Sequence, residues 1–112
     1  VTDIVTEDWY SYDAKYENGG SKHVIPANIP KDIFELCLSY AVKAHQSLGC
    51  RGVTRSDFRW NEEKGKEGLY ILELNTQPGM TKTSLVPEQA KYVGLDLPQL
   101  CLDLIKDASC NK

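Results

Sequence analysis

The spacing of apolar residues changes along this chain, and each change marks an element. Val1 to Thr6 reads as a short strand. Glu7 to Gly20, rich in Tyr, Asp and Lys and closed by Asn18-Gly19-Gly20-Ser21, reads as a loop with some mobility. His23 to Ala27 is a second extended segment. From Pro30 the period lengthens: Ile33, Cys37, Tyr40, Ala41, Ala44 and Leu48 recur at helical spacing and predict a helix with that stripe toward the core. Pro30 suits its opening, Asp32 its positive N-terminal end, and Gly49 the C′ position. Val53 to Trp60 and Leu69 to Asn75 follow as strands, and the polar, Gly-containing stretch Asn61 to Gly68 joins them as a hairpin. Beyond Pro78-Gly79, a short helix from about Leu85 to Val93 ends at Gly94. A last helix runs from about Leu97 to Ala108, with Leu100, Leu104 and Ile105 apolar, and leaves Asn111-Lys112 as a frayed tail. Asp96 reads as its N-cap and Gln99 as the reciprocal partner of a capping box. No repeat or low-complexity segment interrupts this order. The expected fold class is α+β, an antiparallel sheet packed with helices.

The hairpin carries the chemistry. Residues i and i+2 of a strand share a face, so Arg55 goes with Asp57 and Glu73 with Asn75, while Leu72 and Leu74 point the other way. Pairing symmetric about Gly65 sets Asp57 opposite Glu73 and Arg55 opposite Asn75, with opposed Cβ atoms roughly 5 Å apart. Two ionised carboxylates at that distance repel, and one holds a proton unless a cation sits between them. Carboxylates with an Asn amide offer oxygen only, which suits a hard cation such as Mg²⁺ held with phosphate. Two plainer readings stay open: carboxylates on the exposed face of a hairpin, and an Arg55–Asp57 or Arg55–Glu73 ion pair that only braces it.

Two further stretches bear on a ligand. Ser84 is a good N-cap and Pro87 fits the first turn that follows, so this helix start either merely caps itself or holds a carboxylate or phosphate. In Tyr10-Ser11-Tyr12-Asp13-Ala14-Lys15-Tyr16 the aromatics either pin the loop or flank a lysine that reaches a phosphate as a point charge. His23 and His45 have no partner at metal or triad spacing and read as structural.

Composition narrows the class. The 112 residues suffice for one domain, and 41% hydrophobic with 26% charged residues describes an ordinary soluble protein. A net charge of −3 with scattered Lys and Arg gives no basis for nucleic-acid binding. No apolar run approaches the roughly 20 residues of a membrane helix, and no signal peptide is visible. Cys37, Cys50, Cys101 and Cys110 lack CxxC spacing and read as reduced thiols of a cytoplasmic protein. The chain opens without Met on a strand-like Val1-Thr2-Asp3-Ile4-Val5, as a piece of a longer protein would.

Four segments together resemble a known family: Tyr12-Asp13-Ala14-Lys15-Tyr16, Gly49 to Phe58, Leu72 to Thr81 (LELNTQPGMT) and Thr83 to Pro87. Their order and spacing are similar to the C-terminal part of the D-alanine–D-alanine ligases, which have the ATP-grasp fold. The resemblance covers nearly the whole chain. It makes residues 1–112 the C-terminal part of an ATP-grasp domain whose N-terminal and central regions are absent.

In that family ATP phosphorylates the carboxylate of one D-alanine, and the amine of a second attacks the acyl phosphate, making D-alanyl-D-alanine for peptidoglycan in the bacterial cytoplasm. The resemblance implies that Asp57, Glu73 and Asn75 hold two Mg²⁺ ions (Mn²⁺ as a substitute), with Glu73 bridging them. It assigns Arg55 and the Gly79 N–H to the tetrahedral oxyanion. Ser84 and Leu85 would bind the carboxylate of the acceptor D-alanine. Lys15 would contact the γ-phosphate of ATP, and Tyr16 would help latch the loop that carries it. A Tyr after that Lys goes with dipeptide rather than ester formation. The partners implied are ATP, D-alanine and the remainder of the ligase chain, with neither nucleic acid nor membrane. Family members dimerise mainly through regions this chain lacks, so a homodimer is expected of the parent and not of this piece. The domain that holds the first D-alanine and the lysines and Gly-rich loop that grip ATP are missing, so the 112 residues alone are expected not to turn over. The runner-up readings are another ATP-grasp carboxylate–amine ligase and a non-catalytic cation-binding module.

Overall fold

The computed structural model describes residues 1–5 and 22–110. Its elements, in order, are β1 (Asp3–Val5), β2 (Lys22–Val24), α1 (Lys31–Ser47), β3 (Arg55–Trp60), β4 (Leu69–Asn75), α2 (Leu85–Tyr92) and α3 (Leu97–Asp107). The α+β class is as the sequence predicts. The strands form two separate two-stranded antiparallel sheets, β1–β2 and β3–β4. Ile4 lies opposite His23 in the first.

The core is small and lies where α1 meets the hairpin. Ile33, Cys37 and Leu69 are buried there, with Ile29, Leu36, Tyr40, Phe58 and Trp60 packed around them. Burial disfavours the charged form of a thiol, so it pushes the Cys37 pKa up. The four cysteines are free thiols. The predicted stripe on α1 needs one correction: Leu48 is 68% exposed, because the helix stops at Ser47 and leaves Leu48 as its C-cap. Leu38 and Val42, off that stripe, are exposed apolar residues.

Both predicted glycine stops hold. After α1, the Gly49 N–H donates to Gln46 O and the Cys50 N–H to His45 O. After α2, the Gly94 N–H donates to Lys91 O and the Leu95 N–H to Ala90 O. This paired pattern needs a left-handed residue at C′, and the two glycines supply it at φ 63° and 90°.

The hairpin differs from the simple expectation in two ways. Asn61 to Gly68 is not an open loop: Glu62–Gly68 winds into two 3₁₀ turns broken at Gly65, with Asn61 Oδ1 accepting the Glu63 N–H. The pairing symmetric about Gly65 holds at the base, where Arg55 faces Asn75 and Asp57 faces Glu73. Toward the tip it slips by one, and Phe58, Arg59 and Trp60 face Ile71, Tyr70 and Leu69. Leu72 is the extra residue of this bulge, so strict alternation fails there. It is exposed, whereas Leu74 is half-buried.

The capping box on α3 is half formed. Asp96 Oδ1 accepts the Gln99 N–H at 2.9 Å. The Gln99 side chain does not reach back; its Nε2 donates to Asp103 Oδ1, one turn further on, at 2.8 Å. The i, i+4 carboxylate competes for the amide and wins.

Candidate functional site

The polar face of the hairpin base gathers three of the predicted residues in direct contact. Arg55 Nε donates to Asp57 Oδ1 at 2.7 Å and Nη2 to Oδ2 at 3.0 Å, a two-pronged charge-assisted pair. The same Nη2 lies 3.9 Å from Glu73 Oε1. The guanidinium thus lies between the opposed carboxylates, tightly paired with Asp57 and more loosely with Glu73. Asn75 Oδ1 accepts the Gln77 N–H at 2.9 Å and so fixes the chain as it leaves β4. Among the described residues no three His, Cys, Asp or Glu side chains cluster as a metal site. Two carboxylates and an amide oxygen are still a donor set that fits a hard cation. The Arg55 fork uses two of the roughly four lone-pair positions on Asp57 and leaves the others open.

The second part lies past Pro78. Ser84 is the N-cap of α2 by backbone geometry, yet its hydroxyl makes no cap bond. Of the two readings left open for this helix start, the self-capping one is thus corrected. Ser84 Oγ instead accepts the Thr81 N–H at 3.0 Å and sits 2.7 Å from Thr81 Oγ1. A Cβ on Gly79 would come within 2.8 Å of Ser84 Oγ, so only glycine leaves that hydroxyl its position. The first turn beyond it is well anchored, since Leu85, Val86 and Pro87 are all buried. A helix start anchored by three buried residues and left without a side-chain cap is suited to an anion.

A shallow cleft of about 540 Å³ lies near this loop, with Arg51, Val53, Thr76, Gln77, Pro78 and Met80 among its walls. Asp57, Glu73 and Ser84 do not line it. Lys15 and Tyr16 lie outside the described residues.

Both histidines read as structural do have partners. His45 Nδ1 is 2.9 Å from Thr54 Oγ1, and His23 Nδ1 is 2.6 Å from Glu88 Oε2 on α2. The second contact spans 65 positions, and no local pattern signals it.

Comparison with known proteins fixes the class. A family model described as "D-ala D-ala ligase C-terminus" matches residues 1–106. The chain belongs to that family. It is 62% identical over all its 112 residues to the D-alanine–D-alanine ligase of Roseobacter denitrificans and 61% identical to that of Ruegeria pomeroyi. Those matches span 35% and 37% of the two relatives, so this chain has about a third of their length. The fold is similar to that of the D-alanine–D-alanine ligase of Bacillus anthracis, with a TM-score of 0.73 at 24% identity over 95% of this chain and 34% of that one. The same ligase complexed with ATP aligns over 77% of this chain with a TM-score of 0.67.

Proposed function

We propose that these residues form the C-terminal catalytic part of a D-alanine–D-alanine ligase, which makes D-alanyl-D-alanine from two D-alanines and ATP through an acyl phosphate. The observation that carries this reading is the hairpin base, where Asp57 and Glu73 face each other across the pairing and share Arg55. Asp57, Glu73 and Asn75 would hold Mg²⁺. When bound, that ion neutralises charge on the phosphoryl group passing from ATP to the first carboxylate.

Arg55 then has a second duty. Its fork on Asp57 holds the guanidinium in a fixed orientation beside the reacting centre, where with the Gly79 N–H it stabilises the oxyanion formed as the amine attacks. Ser84 Oγ and the Leu85 N–H receive the carboxylate of the acceptor D-alanine, which directs its amine at the acyl phosphate. Lys15 contacts the γ-phosphate and Tyr16 helps latch its segment. The remainder of the ligase chain supplies the first D-alanine site and the rest of the ATP grip. The product enters peptidoglycan synthesis in the bacterial cytoplasm, and the complete enzyme is a homodimer.

The test uses a chimera of the Roseobacter denitrificans ligase in which residues 1–112 replace its matching segment. Phosphate release is followed with a panel of D- and L-amino acids. Asp57→Ala and Glu73→Ala are each expected to lower kcat by at least about a hundredfold, because each removes several kcal/mol of stabilisation of the transferring phosphoryl group. Near-normal turnover in either variant would leave the hairpin only a brace.

A further inference from the structure

Helix α2 carries a charge that works against the role just given to its start. Glu88 lies one turn past Ser84, and its N–H donates to Ser84 O at 3.2 Å. A carboxylate in the first turn is normally favourable to the helix dipole. It is unfavourable to a second anion brought to the same end, because like charges about one turn apart repel. The fold answers with His23. Its Nδ1 meets Glu88 Oε2 at 2.6 Å, with both side chains largely shielded from water, at 18% and 27% exposure. The next residue of α2 is tied to the chain at β1, as Gln89 Nε2 donates to Thr2 Oγ1 at 2.9 Å. Consecutive residues of α2 thus contact both strands' segments of the β1–β2 sheet, one through β2 and one just before β1.

We infer that His23 is a positioning residue for the acceptor amino acid: it draws the Glu88 charge away from the start of α2, so that a carboxylate can bind at Ser84 and Leu85. The inference rests on the acceptor-site reading above. Donation from the ring to Glu88 Oε2 localises that charge against the imidazole, while the Thr2–Gln89 bond keeps α2 in place against the β1–β2 sheet. The ligand concerned is an α-amino acid carboxylate. ATP, which is not assigned to this end of α2, should not sense His23.

The same chimera tests it through Michaelis constants for the acceptor D-alanine and for ATP. His23→Ala is expected to raise the acceptor KM about fivefold and leave the ATP KM within about twofold, the size of a charge effect at a partly buried helix terminus. His23→Ala combined with Glu88→Gln is expected to restore the acceptor KM, because the uncompensated charge is then gone. An unchanged acceptor KM in His23→Ala, or a double variant no better than the single one, would overturn the inference. The ATP KM and the melting temperature report whether each variant is folded; if His23→Ala does not fold, His23→Leu, which fills the same place without a donor to Glu88, gives the same reading. Ser84→Ala separates the two levels. If it leaves the acceptor KM unchanged, the acceptor site itself is misassigned and the inference falls with it.

Discussion

Helices α2 and α3 begin with the same backbone geometry and opposite chemistry. Ser84 precedes one at φ −77°, ψ 151° and Asp96 the other at φ −73°, ψ 163°. Both are extended residues of a good capping type. Asp96 spends its carboxylate on its own helix, accepting the Gln99 N–H. Ser84 turns its hydroxyl back to Thr81 and leaves the start of α2 without a side-chain cap. The uncapped start has three buried residues in its first turn, whereas of α3 only Leu100 is buried. A helix end that is firmly anchored and still short of a partner is arranged for a ligand. One that satisfies itself is arranged for stability.

This contrast can be broken most directly by giving α2 the cap it lacks. Ser84→Asp places a carboxylate where the acceptor carboxylate would bind, so in the chimera the acceptor KM should rise by more than about tenfold while the melting temperature holds or increases. A variant that still binds acceptor normally would show that the start of α2 is not its site. The reciprocal change is smaller and of another kind. Asp96→Ala removes a real cap and should cost about 1 kcal/mol of stability in a denaturant titration, with the acceptor KM within about twofold of the parent. Gln99→Ala should do least. Its side chain bonds Asp103 rather than closing a box, so the loss should be near 0.3 kcal/mol. A loss as large as that of Asp96→Ala would mean that Gln99 completes the cap after all.

Much of this was legible in the sequence for identifiable reasons. The base register of the hairpin follows from two i, i+2 polar pairs equidistant from Gly65, and the ends of α1 and α2 follow from Gly49 and Gly94. The bulge was not legible. Leu72 is apolar like Ile71 before it and Leu74 beyond Glu73, so neither alternation is favoured by composition until the 3₁₀ turns at Glu62–Gly68 set where the tip closes. The direction of the Ser84 hydroxyl was hidden as well. It depends on Thr81 folding back across a tight loop and on the missing side chain at Gly79, whereas a capping rule looks only forward along the helix. His23 was hidden by distance, since a partner 65 positions away leaves no spacing to read. Lys15 and Tyr16 rest on the family motif alone.

The slipped residue at Leu72 works as a joint between the two ends of the hairpin. On its base side Asp57 and Glu73 keep their alignment; on its tip side the pairing already runs one step out of phase. The Glu62–Gly68 turns close the tip in its own register, one step away from that of the carboxylates. The phase of the tip and the alignment of the charged groups below it are thus set separately.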